Sequence, residues 1–197
     1  MSQATSINQE KPSEYQGLRL PLDPLIEFTA NQVATRFDRV KEREVVRFLK
    51  FSCVGILGAM LDLGISLTLF QTVFPPLDVD GSELFWNYTI ATTISFAAAI
   101  TSNFFWNRYW TYPDSRSRSL GAQLLLFAFI CTVGWLARGV WLDFAIEPAG
   151  QWMRENTALE TGLANSLGAV SAVLVAIFIV MIWNFVVNRL WTFNDVE

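Results

Sequence analysis

The sequence contains no histidine, which removes both the commonest general base and the commonest zinc ligand. It also has no phosphate-cradling glycine loop and no nucleophile elbow, so an enzyme is disfavoured and no catalytic residue, metal site or cofactor is expected. Cysteine is scarce. Cys53 and Cys131 each fall inside an apolar run, where a thiol behaves as a small hydrophobe, and neither a disulfide nor a metal site is implied. The formal charge of −4 and the absence of a basic groove exclude nucleic acid as a partner. Residues 1–21 carry no apolar periodicity and none of the basic start, short apolar core and cleavage site of a signal peptide. They read as a disordered tail.

What the chain does have is apolar surface. Hydrophobic residues make up 52% and aromatics 14%, with a mean hydropathy of +0.34, too apolar for an ordinary soluble chain of this length. An integral membrane protein is indicated. Four runs reach the ~20 helical residues needed to cross a hydrocarbon slab, over residues 48–74, 84–107, 120–146 and 165–188. Polar stretches over residues 75–83, 113–119 and 147–160 separate them. None shows the period-two alternation of a barrel strand, so the expected fold is all-α, four transmembrane helices in two hairpins.

Ahead of the first run, Leu22, Leu25, Ile26, Thr29, Val33, Phe37 and Val40 follow helical spacing, and Arg36, Arg39, Lys41 and Arg43 crowd the later part. Two readings stand: an amphipathic helix on the membrane surface over residues 22–44, or an extension of the next helix. The transmembrane domain then occupies residues 45–193. Basic residues set its orientation. Arg36, Arg39, Lys41, Arg43, Arg47 and Lys50 precede the first run and Arg108, Arg116 and Arg118 follow the second, whereas the first loop has no Lys or Arg and the third only Arg154. Both termini are expected to be cytoplasmic.

One stretch occurs twice. Residues Asn103 to Tyr112 return as Asn184 to Phe193, a pattern N-x-x-x-N-R-x-W-T-aromatic with six identities in ten positions at a spacing of 81. Each copy closes an apolar run, so the chain reads as two copies of one unit. With two crossings per unit the repeats are parallel, related by an axis along the membrane normal. Both motifs then lie at the same depth.

Asn103 and Asn107, like Asn184 and Asn188, are four apart and share a helical face, and an amide facing lipid is costly, so these faces should point into the bundle. Arg108 and Arg189 follow at the headgroup level, and Trp110 and Trp191 are expected as interfacial anchors. Planar guanidinium forks beside amides suit a phosphate or pyrophosphate on the inner leaflet. Asp62 lies near the middle of the first run, where an acid costs ~2.5–3.5 kcal/mol and marks a functional candidate. The same offset of 81 pairs it with Asp143, and Arg138 is the candidate to neutralise either acid. Structural ion pairing explains this trio equally well. Small and hydroxyl residues from Thr89 to Ser102 and from Ser166 to Ala176 suit close helix packing, or the lining of a polar path.

The doubled motif, together with the Arg47-Phe48-Leu49-Lys50-Phe51 opening, Val54-Gly55 and the Asp62 helix, resembles the GtrA-like family of four-helix membrane proteins across about residues 45–193. That resemblance implies a place in cell-surface polysaccharide synthesis at the cytoplasmic membrane and movement of a polyprenyl-phosphate-linked sugar between leaflets, without glycosyltransferase activity. It points to Asn103, Asn107, Arg108, Asn184, Asn188 and Arg189 as the headgroup region and to Asp62 as an intramembrane polar site; Arg138 has no counterpart in the family pattern. Partners implied are the sugar lipid, membrane lipids, a glycosyltransferase and further copies of the chain. A second reading is an accessory anchor that recruits a glycosyltransferase to its lipid substrate. A third, a small cation-coupled exporter using Asp62, fits the doubled arginines less well.

Overall fold

The computed structural model describes residues 17–36, 41–78, 81–82, 84–115 and 118–195. Among the described residues five α-helices carry the fold: α1 (Asp23–Arg36), α2 (Glu42–Thr72), α3 (Phe85–Trp106), α4 (Leu120–Asn156) and α5 (Thr161–Val187). Helices α3 and α5 each run on into a five-residue π turn, Asn107–Thr111 and Asn188–Thr192. Helices α2, α4 and α5 with its π turn are long and apolar enough to cross a membrane. Helix α3 is 22 residues long, enough for about 33 Å, but Thr89, Thr92, Thr93, Ser95, Thr101 and Ser102 lower its apolarity. Those of its threonines that face outward donate their hydroxyls to carbonyls one turn back, as Thr93 does to Thr89 and Thr101 to Ala97, so no donor is left bare.

Helix α2 packs on α3 and α4 on α5, with α1 laid against α2. The two hairpins match position by position. Along α3 and α5, at a spacing of 81, Ala91 and Ala172, Ser95 and Ala176, Asn107 and Asn188, and Thr111 and Thr192 are all buried. Along α2 and α4 the spacing is 76 instead: Arg47 and Gln123, Phe51 and Phe127, Val54 and Ile130, and Gly58 and Gly134 are buried in pairs. The connections between helices differ in length, so one offset does not serve both halves of a repeat. This corrects the pairing of Asp62 with Asp143. The residue at the matching position on α4 is Arg138, and Asp143 is exposed.

Three further expectations change. The polar stretch over 147–160 is not a loop: α4 runs to Asn156 through Pro148, extended by Gln151 donating to Glu155 at 2.8 Å and by an Arg154–Glu147 ion pair at 3.1 Å. The surface helix is described over Asp23–Arg36, and Lys41, extended in backbone just before Glu42, makes α2 a separate element. It buries Asp23, Ile26 and Ala30, whereas Leu22, Leu25 and Phe28 of the same region are exposed; Phe37 and Val40 lie outside the described residues. Most of the tail over 1–21 does too, but its end is held, the Leu18 N–H donating to the Tyr109 carbonyl at 3.3 Å.

Two features fix the hairpins. Gly168 meets the Gly150 backbone so closely that a Cβ there would overlap it, the close approach small residues permit. At the motif end of the bundle, the matched rings of Tyr112 and Phe193 stack with centroids 4.5 Å apart and planes at 15°. They sit in a buried cluster with Phe51, Ile100, Phe104 and Phe127. The last residues of the two repeats therefore meet.

Candidate functional site

The wide turns place the motif residues. In each, the hydrogen bond closes five residues back: Tyr112 N–H to Asn107 O at 2.7 Å and Phe193 N–H to Asn188 O at 2.8 Å. Such turns recur at functional positions. Here they swing the terminal ring of each repeat inward and bury the Thr beside it, Thr111 and Thr192 both being fully enclosed.

Charged groups form a network at this end. Glu44, in the first turn of α2, accepts from Arg47 at 2.8 Å and pairs with Arg189 at 3.3 Å. Asp114 accepts from Arg43 and Arg47, each at 3.0 Å. The Arg47 side chain is fully buried and stands 5.8 Å from the Tyr112 ring centre. Its counterpart Gln123 donates to Ser115 Oγ at 2.9 Å and to the Thr192 carbonyl at 3.2 Å. Each repeat's first helix thus ties down the end of a motif. Beneath α1, Asp23 pairs with Lys50 at 2.8 Å and accepts from Trp110 Nε1 at 2.9 Å. Burial disfavours the Asp23 carboxylate, yet hydrogen bonds from Lys50 and the Leu20 amide, the Lys50 charge and the Trp110 N–H together hold it below the ordinary carboxylate range.

A cavity of about 350 Å³ opens between the two hairpins, lined by Asp62, Asn103, Asn107, Arg138 and Asn184 among apolar groups such as Phe96, Trp135, Ile177 and Val180. Gly58 and Gly134 back it at matching positions: a Cβ on Gly58 would overlap the Asn103 amide, and one on Gly134 would lie 3.1 Å from Asn184 Oδ1. The buried Oδ1 atoms of Asn103, Asn107 and Asn184 and the Nε of Arg138 have no hydrogen-bond partner among the described residues. Asp62 and Arg138, one from each repeat, form no ion pair among the described residues, so the neutralisation expected of Arg138 is not a direct contact. Asp143 does not reach the cavity.

The residues expected to act together are therefore divided. Asn103, Asn107 and Asn184 join Asp62 and Arg138 in the cavity. Asn188 does not: its amide donates to the Asn184 carbonyl and accepts from Thr192 Oγ1, both at 2.8 Å. Arg108 is buried, 7% exposed, and Arg189 is turned to Glu44 and the Phe193 carbonyl; neither lines the cavity, so the two guanidiniums do not form one fork with the amides. Trp191 is 55% exposed, as an anchor requires, but Trp110 is 1% exposed and held by Asp23. Sequence reasoning passed over Asp23, Glu44 and Gln123, and took Arg47 and Lys50 only as orienting charges and as part of the family pattern. The signal for Arg47 and Gln123 was the spacing of 76 that also matches Phe51 with Phe127.

Comparison with known proteins identifies a family. The family model described as "GtrA/DPMS, transmembrane domain" matches residues 50–193. A curated dolichol-phosphate mannosyltransferase of Pyrococcus furiosus is 35% identical over 86 residues, 44% of this chain. The matched stretch is 21% of that relative, so the chain spans about a fifth of its length.

Proposed function

Because this chain belongs to the GtrA/DPMS transmembrane-domain family, we propose that it carries a polyprenyl-phosphate-linked sugar across the cytoplasmic membrane in surface polysaccharide synthesis. In this reading all four long helices cross the bilayer, both termini are cytoplasmic, and the protein binds and conducts without making or breaking a bond. The observation that carries it is the cavity: one acid, one guanidinium and three amides enclosed between hairpins whose outer faces are apolar. Ionisable groups at that depth are costly and are retained where they serve a pathway. A polar interior lets a hydrated group pass while the prenyl tail stays in lipid. The basic and acidic network at the motif end would order the phosphate's approach, with Arg108 and Arg189 contributing positive potential there.

The test is transbilayer movement in vesicles containing the purified protein and a prenyl-phosphate sugar, read by the fraction of sugar accessible to an impermeant oxidant. Protein should raise the exchange rate well above that of empty vesicles, and Asp62→Leu should remove most of the gain. Exchange no faster than in protein-free vesicles sinks the proposal.

A second reading has its own support. The matched stretch in the P. furiosus protein is a fifth of a chain named as a mannosyltransferase, consistent with a domain that works beside a transferase. On that reading α1 and the charged network form the docking surface. Co-purification of a transferase that is lost on deleting residues 1–36, with no exchange in vesicles, would favour it.

A further inference from the structure

Helix α1 precedes the matched domain, and among the described elements it packs along α2. Its inner stripe, Asp23, Ile26 and Ala30, is buried there. At its start Asp23 pairs with Lys50, about two turns into α2, and at its end Arg36 stands a short link before Glu42. So α1 runs back along α2, antiparallel to it, and its start is the end nearer the bilayer core. Lys50 already lies within the apolar run that begins at Phe48.

The outer face of α1 changes character along that direction. Leu22, Leu25 and Phe28 are exposed, as is Leu18 just before them. Beyond Phe28 the exposed positions are Asn31, Gln32, Thr35 and Arg36. Gln32 and Arg36 continue the line of Leu25 at helical spacing, so the switch follows position along the helix rather than a change of face. Thr29, at the boundary, donates its hydroxyl to the Leu25 carbonyl at 2.8 Å, which leaves no bare donor. Glu27, the other acid of α1, lines the groove shared with Arg43, Val46 and Lys50 instead. The apolar part is also continuous with the outer surface of the transmembrane domain. The Leu18 N–H donates to the Tyr109 carbonyl at 3.3 Å, and the exposed rings of Tyr109 and Phe105 stack beside it with centroids 6.3 Å apart.

We infer that α1 is a prong dipping into the leaflet at the motif end: Leu18, Leu22, Leu25 and Phe28 are immersed in lipid, and the helix from Asn31 onward stands in water. Water around four bulky apolar side chains is unfavourable in proportion to their area, and the lipid that covers Phe105 and Tyr109 relieves it. A helix lying flat in the interface carries its apolar face along its whole length; here it occupies the first half. The buried Asp23–Lys50 pair, joined by the Trp110 N–H, is the pin that holds the prong at this depth. The inference rests on membership of the transmembrane family and stands whether the domain carries a lipid or recruits a transferase.

The full chain with Cys53→Ala and Cys131→Ala would receive Leu25→Cys, Phe28→Cys, Gln32→Cys or Arg36→Cys, each labelled with bimane and reconstituted into phosphatidylcholine vesicles. Met60→Cys, exposed on α2, calibrates full lipid contact. Quenching by lipids brominated on the acyl chain should be at least about threefold stronger at 25 and 28 than at 32 and 36, because Leu25 and Arg36 differ by ~16 Å along the helix. Aqueous iodide should give the reverse order. Equal bromolipid quenching at all four positions describes a flat helix and overturns the inference. Iodide reaching 25 and 28 as freely as 36 puts the face in water and overturns it too. Shielding of 25 and 28 from both quenchers assigns the face to a protein, either a second copy or another partner, and removes lipid as its occupant.

Discussion

The two copies of the N-x-x-x-N-R-x-W-T motif share a backbone but not a job. Both end in a π turn, and both deliver an aromatic ring to the central stack. In the first copy Asn107 lines the cavity, and Trp110 is sealed beneath α1 by Asp23. In the second copy Asn188 is closed by Thr192 and the Asn184 carbonyl, and Trp191 is exposed. One cause accounts for the tryptophan difference: α1 precedes only the first repeat, and it covers that copy. The same divergence runs along the first helices of the hairpins, where Arg47 stands opposite Gln123 and Asp62 opposite Arg138. Repetition builds the frame, and departures from it make the interior polar and asymmetric.

The shared part should break symmetrically. Phe193→Ala and Tyr112→Ala each remove a stacked, fully buried ring and should each cost ~3–5 kcal/mol, measured by denaturant unfolding in detergent; a loss confined to one of them would show that the stack is not common to both repeats. The tryptophans should split. Trp110→Phe keeps bulk but abandons the Asp23 hydrogen bond inside a buried charge pair, and should cost ~1–3 kcal/mol, whereas Trp191→Phe should stay within ~0.5 kcal/mol. Equal effects would mean that α1 does not seal the first copy. A third pair concerns the amides. Asn188→Ala removes two hydrogen bonds and should cost ~1–2 kcal/mol of stability, while Asn107→Ala, whose Oδ1 has no partner among the described residues, should change stability by less and affect lipid binding instead.

The smallest effect expected is one of pH. The folded-state pKa of Asp23 is held below its ordinary value, so its contribution to α1 docking is complete above about pH 4 and fades as pH falls through the lowered value. Hydrogen exchange of α1 amides should quicken below pH 4 ahead of α2, and Asp23→Asn should flatten that response. Uniform quickening across both helices would assign the acid response to other carboxylates.

Much of this was legible in the chain. Long apolar runs fix helices because each backbone group must be paired within the segment, and a repeat this specific fixes which ends correspond. Asp62, Asn103, Asn107, Arg138 and Asn184 stood out as polar groups inside apolar runs, and all five line the cavity. Their grouping was harder to read. Asp62 and Arg138 match in position but carry opposite charge, so residue identity conceals the correspondence that the flanking Gly58 and Gly134 reveal. Trp110 has the composition of an anchor; only the approach of Asp23, 87 positions away, makes it interior. The end of α4 was misread because Pro148 and the polar run around it suggest a loop, whereas the helix continues through them, with an Arg154–Glu147 ion pair and a Gln151–Glu155 hydrogen bond along it.

The wide turns that close α3 and α5 have a consequence for the chain's tolerance of length. A residue in an α-helix advances the chain by about 100°, so each π turn acts as a one-residue phase adjuster between a membrane helix and the segment after it. Deleting a single residue from either turn would let an ordinary helix propagate, rotating Tyr112 or Phe193 away from its counterpart and carrying the Asp114 or Asp195 segment with it. Residue count inside these two turns, more than residue type, then governs whether the repeats face one another.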